Sequence, residues 1–270
     1  MKKVALVGLG TWGKNHFREL TQLGCEVVVV LHNRDKGIEA WLKENYPHAS
    51  STYRRDDVKN DASVTDVFIV TPMETHFDLA REFLLAGKRV FVEKPVTDSA
   101  TEATQLVALA EERNSQFMVG HIFLYHDCFL KVREELKKQG VTGVSATKTS
   151  RSVDKPNASK PLFLDSFIHE VSILLKLFGA PKTTSYQEKD NTLVLEFSEF
   201  TASATIVKPQ QDEKMRRFDF ITKENGYVWH NDELFEKGSD HPICKPSQSA
   251  LSKELDIFLN RYQEIGRAHV

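Results

Sequence analysis

Val4-Ala5-Leu6-Val7-Gly8-Leu9-Gly10-Thr11-Trp12-Gly13 is the stretch on which the reading of this chain turns. The apolar run has the character of a buried strand, the glycines follow at once, and an amphipathic segment opens behind them. Gly8 permits a tight turn, Gly10 lets backbone approach a pyrophosphate with no Cβ in the way, and Gly13 lets the following helix pack on the strand. Phosphate would then rest on free N–H groups at the helix N-terminus, and Thr11 and Trp12 of the loop are expected cofactor contacts. A G-x-G-x-x-G alone is a common glycine-rich turn. Its place directly after a buried-strand pattern is what points to a dinucleotide.

Working outward, the runs Glu26–Leu31, Thr65–Thr71, Arg89–Glu93 and Gln116–Gly120 read as strands, and Lys14–Leu23, Asp35–Glu44, His76–Ala86 and Ala100–Arg113 as helices. Strands and helices alternating at this spacing predict βαβ units, hence a doubly wound parallel sheet of Rossmann type. Beyond Gly120 the pattern changes. Helical stretches at Asp127–Lys138 and Leu164–Phe178 accompany strand-like runs at Val141–Thr149, Thr183–Gln187, Thr192–Phe197, Thr201–Val207 and Phe218–Thr222. Short polar turns between such runs predict an α+β domain with a mostly antiparallel, open-faced sheet. The expected domains are 1–120, a nucleotide-binding domain, and 121–270, with the boundary close to Gly120.

The 270 residues are 40% hydrophobic and 27% charged, an ordinary globular composition. A formal charge of -2 gives no electrostatic reason to expect nucleic acid or an anionic membrane, so the expected partner is a small molecule. No apolar run approaches the roughly 20 residues that span a bilayer, and Met1-Lys2-Lys3 leads straight into a strand, so a cytoplasmic location is expected. Cys25, Cys128 and Cys244 are scattered and lack metal-ligand spacing; reduced thiols and no metal are expected.

Four features occur in one order: the Gly8–Gly13 loop; Thr71-Pro72 followed by His76; Ala86-Gly87-Lys88-Arg89-Val90-Phe91-Val92-Glu93-Lys94-Pro95; and Asp165-x-x-x-His169 followed by Leu177-Phe178-Gly179. In that combination the chain resembles the glucose-fructose oxidoreductase/inositol dehydrogenase/MocA (Gfo/Idh/MocA) oxidoreductase family. The resemblance covers nearly the whole chain, and the Glu-Lys-Pro element is far more specific than the glycine loop. It implies an NAD(P)-dependent oxidoreductase of CH–OH groups, acting on a sugar, cyclitol or sugar nucleotide, and a homo-oligomer joined through the C-terminal sheet.

Glu93-Lys94-Pro95 falls at the C-terminal end of a predicted parallel strand, where open α/β sheets bind ligands. The resemblance implies that Lys94 contacts both cofactor and substrate; a cation there would polarise a carbonyl or stabilise an alkoxide. A solvated lysine at a strand end is the competing reading. Asp165 and His169 lie four apart on a predicted helix and share a face. The resemblance implies that His169 serves as acid/base, which suits imidazole in either direction of an alcohol–ketone reaction, and that Asp165 binds substrate or orients the ring. An ordinary Asp–His helix pair stays open as the alternative. Thr71, Pro72, His76 and Glu93 are expected cofactor contacts, although a polar residue at a helix start explains His76 equally well.

Two departures from the family pattern stand out. About 20 residues past the glycine loop, an acidic residue would normally grip the adenosine ribose, but the segment reads Leu31-His32-Asn33-Arg34. His32, Asn33 and Arg34 could instead take a 2′-phosphate, which favours NADP over NAD, or Arg34 is a surface residue near a helix start. After Gly120, where many members carry an aromatic–arginine pair, the arginine place holds Leu124; His121 and Tyr125 become the candidate substrate contacts, with His126 beside them, unless these aromatics are core. A helix pattern through Leu251, Leu255, Phe258 and Leu259 precedes Glu264–Val270, which reads as a non-native ending on a truncated chain whose apolar surface would lack a closing helix. Two other functions stay open: a dinucleotide-bound sensor or scaffold without turnover, and an enzyme recycling tightly held NAD.

Overall fold

The computed structural model describes residues 1–32, 36–150, 160–209, 214–261 and 268–269, with side chains except at 160–166 and 268–269. Along the first part of the chain, β1 (Lys3–Val7), α1 (Thr11–Gln22), β2 (Glu26–Val30), α2 (Lys36–Asn45), β3 (Ser50–Thr52), α3 (Arg55–Lys59), β4 (Val64–Ile69), α4 (His76–Leu85), β5 (Arg89–Glu93), α5 (Ala100–Glu112) and β6 (Phe117–Gly120) follow one another. Then come α6 (Asp127–Gln139), β7 (Val141–Thr149), α7 (Lys160–Phe178), β8 (Thr183–Gln187), β9 (Thr192–Glu196), β10 (Thr201–Val207), β11 (Arg216–Thr222), β12 (Gly226–His230), β13 (Glu233–Glu236), β14 (Pro242–Cys244), α8 (Ala250–Asn260) and β15 (Ala268–His269). They form two compact units, Met1–Gly120 with Leu251–Val270, and His121–Ala250.

The first unit holds a sheet in the order β15-β6-β5-β4-β1-β2-β3, parallel at every neighbouring pair. Strands depart to opposite sides of β1, toward β4 and toward β2, which makes its carboxyl end the switch point where such sheets bind ligands. Both faces are covered. Val4, Ala5 and Leu6 of β1 and Val67, Phe68 and Ile69 of β4 are all at 0% exposure, so these strands read as continuous apolar runs rather than alternations. The short polar strand β3 and the single-turn-and-a-half helix α3 were not legible as periodic segments. Ser50–Thr52 is held by its ladder to β2, a tertiary contact rather than a local preference.

The expected division put residues 121–270 together, but 251–270 belong with the first unit. The physical reason lies in α8. Phe258 is fully buried edge-on to Phe68 at 5.3 Å and Phe91 at 5.7 Å, with the Arg89 guanidinium 5.7 Å from its ring centre. Leu251, Leu255 and Leu259 are buried beside it, and Lys2 Nζ donates to the carbonyl of Leu259 and to Asn260 Oδ1. Within 264–270, Ala268–His269 pair parallel with Phe117-Met118 of β6; the other residues lie outside the described ones.

The second unit holds a sheet in the order β14-β13-β12-β11-β7-β10-β9-β8. β10 runs parallel to β7, and the other neighbours are antiparallel. Val144 and Ala146 of β7, Ala202, Ala204 and Ile206 of β10, and Phe218 and Phe220 of β11 are buried at alternate positions, the mark of a sheet covered on one face. Helix α7 packs on β10 and buries Ile173 and Leu174. The strands β12 to β14 extend the sheet beyond the expected run. Among the described residues no helix is long and apolar enough to cross a membrane, no group of side chains could hold a metal ion, and Cys25, Cys128 and Cys244 are free thiols.

Phe258→Ala should destabilise the first unit by about 3–5 kcal/mol, the usual cost of emptying a buried phenylalanine site. Equilibrium denaturation measures it, and a loss below about 1 kcal/mol would show that α8 is no part of that core.

Candidate active site

The turn from β1 into α1 brings Gly8 to φ +96°. A Cβ on Gly8 would stand 2.4 Å from the Val70 carbonyl oxygen, and one on Gly13 would stand 2.3 Å from the Gly8 carbonyl oxygen. Both glycines are demanded by the protein's own packing: strand, turn and helix approach too closely for any side chain. Gly10 differs. A Cβ there would meet nothing of the protein within 4 Å, so packing does not account for a glycine at that place. Helix α1 starts at Thr11 with Gly10 as its N-cap; no side chain caps it and no acidic residue occupies its first turn. Its first-turn N–H groups and the positive end of its dipole suit an anion.

Around this turn lies a cleft of about 620 Å³, wholly within the first unit, at the carboxyl ends of β1, β2 and β4. Gly8, Gly10, His32, Thr71 and Pro72, all among the expected cofactor contacts, line it. Tyr53, just after the unexpected β3, and Arg55, the first residue of the unexpected α3, line it too, and Arg55 is paired with Glu82 at 2.9 Å. Asn33 and Arg34 lie outside the described residues.

Lys94 follows β5, and the residues on either side of it are anchored. Glu93 is buried, and its Oε1 accepts from Trp12 Nε1 at 2.8 Å and lies 2.8 Å from His16 Nε2, while Oε2 accepts from the Lys94 backbone N–H at 3.2 Å. Burial opposes ionisation of this carboxyl, but the bonds from His16, Trp12 and the Lys94 N–H together outweigh it and hold Glu93 below the usual carboxylate range. On the other side His76, 1% exposed, places Nδ1 2.7 Å from the Pro95 carbonyl oxygen and Nε2 2.8 Å from the Thr71 carbonyl oxygen. Glu93 and His76 therefore stand behind the cleft rather than in it. They tie the Lys94 loop to α1 on one side and to the Thr71-Pro72 loop on the other. Trp12 is 42% exposed at the surface of α1, its indole N–H committed to Glu93. The role of His16 has no signal in the sequence, because only the parallel register of β5 beside β4 and β1 brings it to Glu93.

In the second unit, Asp165 and His169 share α7 one turn apart; the Asp165 side chain lies outside the described ones. The His169 ring meets Phe123 edge-on at 4.9 Å. Tyr125 is 8% exposed and Leu124 is 7%, so both belong largely to the core, whereas His121 is half-buried at the mouth of the 3-10 turn over Ile122–Tyr125. His126 caps α6, its Nδ1 accepting from the Cys128 N–H at 3.2 Å.

Residues 2–121 match the GFO_IDH_MocA family, described as an oxidoreductase family with an NAD-binding Rossmann fold. Inositol 2-dehydrogenase of Salmonella typhimurium is 27% identical over 253 residues, covering 87% of this chain and 72% of its own. The scyllo-inositol 2-dehydrogenase (NADP(+)) IolW of Bacillus subtilis is 24% identical over 154 residues, 53% of this chain and 43% of that protein. The chain spans about half the length, 43 to 55%, of the first curated relatives it matches. A crystal structure from Magnetospirillum magnetotacticum MS-1 superposes with a TM-score of 0.81 at 24% identity, covering 99% of this chain and 94% of the other, which establishes the same fold.

Because Glu93 is held below its ordinary pKa of 4.5, it contributes stability that is fully present above that value and lost as pH falls through the lower folded-state value. Glu93→Gln should cost about 1–3 kcal/mol at neutral pH, with the gap to wild type closing below about pH 4. Urea denaturation as a function of pH reads both; equal stabilities at neutral pH would remove Glu93 as the brace of the Lys94 loop.

Proposed function

We propose that the chain is a member of the Gfo/Idh/MocA oxidoreductase family, whose model its residues 2–121 match, and that it moves hydride between NAD(P) and a secondary alcohol or ketone carbon of a sugar, cyclitol or sugar nucleotide. One observation carries the reading: Gly10, which the protein's packing does not require, stands at the uncapped start of α1 over open cleft space. A ligand pressed against that backbone is a physical reason for a glycine there that the protein's own packing does not supply.

The residues present fit a dinucleotide. Gly8, Gly10, Thr11, Trp12 and Gly13 would hold its pyrophosphate, Thr71 and Pro72 would line its path with Lys94, and His32, Asn33 and Arg34 would meet the adenosine ribose. Absence of a carboxylate from the segment Leu31–Arg34 favours NADP, a cofactor that IolW carries in its name. The substrate class rests on the inositol dehydrogenases among the relatives.

When bound, NAD(P) supplies the hydride acceptor or donor. In oxidation the hydroxyl proton passes to His169, and in reduction His169 returns it to the nascent alkoxide. The Lys94 ammonium stabilises negative charge on that oxygen. Asp165, one helical turn before His169, orients the substrate or the imidazole. A cytoplasmic homo-oligomer, joined through the open face of the second sheet, where Ile221 is 42% exposed, completes the reading.

Gly10→Ala separates the ligand role from the fold. Its thermal unfolding should match wild type, while NAD(P)H affinity in a fluorescence titration drops about tenfold or more; unchanged affinity would overturn the cleft as the dinucleotide site. Lys94→Ala should lower turnover by about 100-fold or more with dinucleotide binding still measurable. A screen of sugars, cyclitols and UDP-sugars, following reduced nicotinamide absorbance, supplies the assay, and an unaffected rate would take Lys94 out of the mechanism.

A further inference from the structure

The antiparallel register of β7 and β11 sets Arg216 directly opposite Lys148, so two cationic side chains stand side by side on one face of the second sheet. Like charges so placed repel. Glu170 of α7, 2% exposed, offsets them: its Oε1 accepts from Arg216 Nε at 2.9 Å and its Oε2 lies 3.2 Å from Lys148 Nζ. The Phe123 ring supports the Arg216 guanidinium, with Cζ 3.9 Å from the ring centre. The arginine backbone is pinned as well, since Asn231 accepts its N–H through Oδ1 at 2.9 Å and donates its own N–H to the Arg216 carbonyl at 2.8 Å.

One edge of this guanidinium is thus tied to Glu170 and one face is stacked on Phe123. Its terminal nitrogens, Nη1 and Nη2, bond to none of the described residues, and the side chain is 20% exposed. Arg216 lines a cleft of about 820 Å³ within the second unit, together with Phe123, Lys148, Lys214, Asn231 and Asp232. A planar donor fork immobilised in this way is matched by an oxyanion with two acceptor oxygens. His169, next to Glu170 on α7, lies against the same Phe123 ring. The segment after Gly120 offers no arginine, Leu124 being buried; β11 supplies one instead.

We propose that Arg216 is a specificity-determining residue that takes, through its terminal nitrogens, a carboxylate or phosphate group carried by the substrate. Sharing the Phe123 wall places the carbons attached to that anion toward His169. The proposal rests on the reading of the second unit as the substrate-binding one, and it narrows that reading to acidic sugars or sugar phosphates and diphosphates.

The test titrates the full chain, without nicotinamide, with glucuronate, inorganic phosphate and myo-inositol, following calorimetric heat and the arginine side-chain NMR resonances. Glucuronate or phosphate should bind with millimolar affinity and shift the Arg216 resonances, and Arg216→Gln should weaken that binding about tenfold. Arg216→Lys, which keeps the charge on Glu170 but loses the fork, should recover only part of it, and myo-inositol binding should not respond to either variant. Response to one anion alone identifies the carboxylate or the phosphate as the group recognised. Binding of neither anion below about 10 mM, or equal binding by wild type and a folded Arg216→Lys, would overturn the proposal. NADPH titration of the same samples keeps the two readings apart: its failure would sink the hydride-transfer reading and leave the anion result standing.

Discussion

The buried Glu93 carboxylate is the interaction on which the first unit's functional face depends. It ends a strand inside a parallel sheet, where a charge is costly unless fully hydrogen-bonded. Trp12, His16 and the Lys94 N–H meet that requirement, and in doing so they join the strand bearing Lys94 to the helix that begins at the glycine turn. His76 repeats the device with neutral partners, fastening the Pro95 carbonyl and the Thr71 carbonyl to one ring. The glycine turn and the Thr71-Pro72 loop, which line the cleft, are thereby tied to the Lys94 loop by buried polar side chains that are not among the cleft's lining.

That arrangement separates two kinds of residue that look alike in a family motif. Glycines 8 and 13 are required by close packing, Glu93 and His76 by loop anchoring, and Gly10 by neither. The second unit makes a parallel distinction. Glu170 and Lys148 are buried and paired, while Arg216, held by the same carboxylate, is 20% exposed and still presents a donor edge to the cleft. In both units a buried carboxylate positions a cationic or cation-bearing segment, because a fixed charge at low dielectric tolerates little freedom in its partners.

Elements with strong periodicity were legible from the chain alone. β5 and β7 run as read, and α4 and α6 differ only at an end, because each carries its apolar pattern without help. α1 begins at Thr11 rather than Lys14, since the glycine turn itself serves as the helix start. β3, with only three polar residues, and α3, barely more than a turn, lacked any pattern to read. Within the candidate site, the glycine turn, Thr71, Pro72 and His32 line the cleft as their positions in the βαβ pattern suggest.

By itself, then, the order of apolar runs, glycines and turn residues determined a doubly wound sheet followed by a mostly antiparallel one, since strand and helix periods are local properties of the chain. Only tertiary structure decided that α8 returns to the first unit, that Glu93 and His76 brace loops, and that Arg216 stands opposite Lys148 with Glu170 between them. Strand order and register bring Glu93 to His16 77 positions away, Glu170 to Arg216 46 positions away and Phe258 to Phe68 190 positions away, and no local preference encodes a pairing at such range.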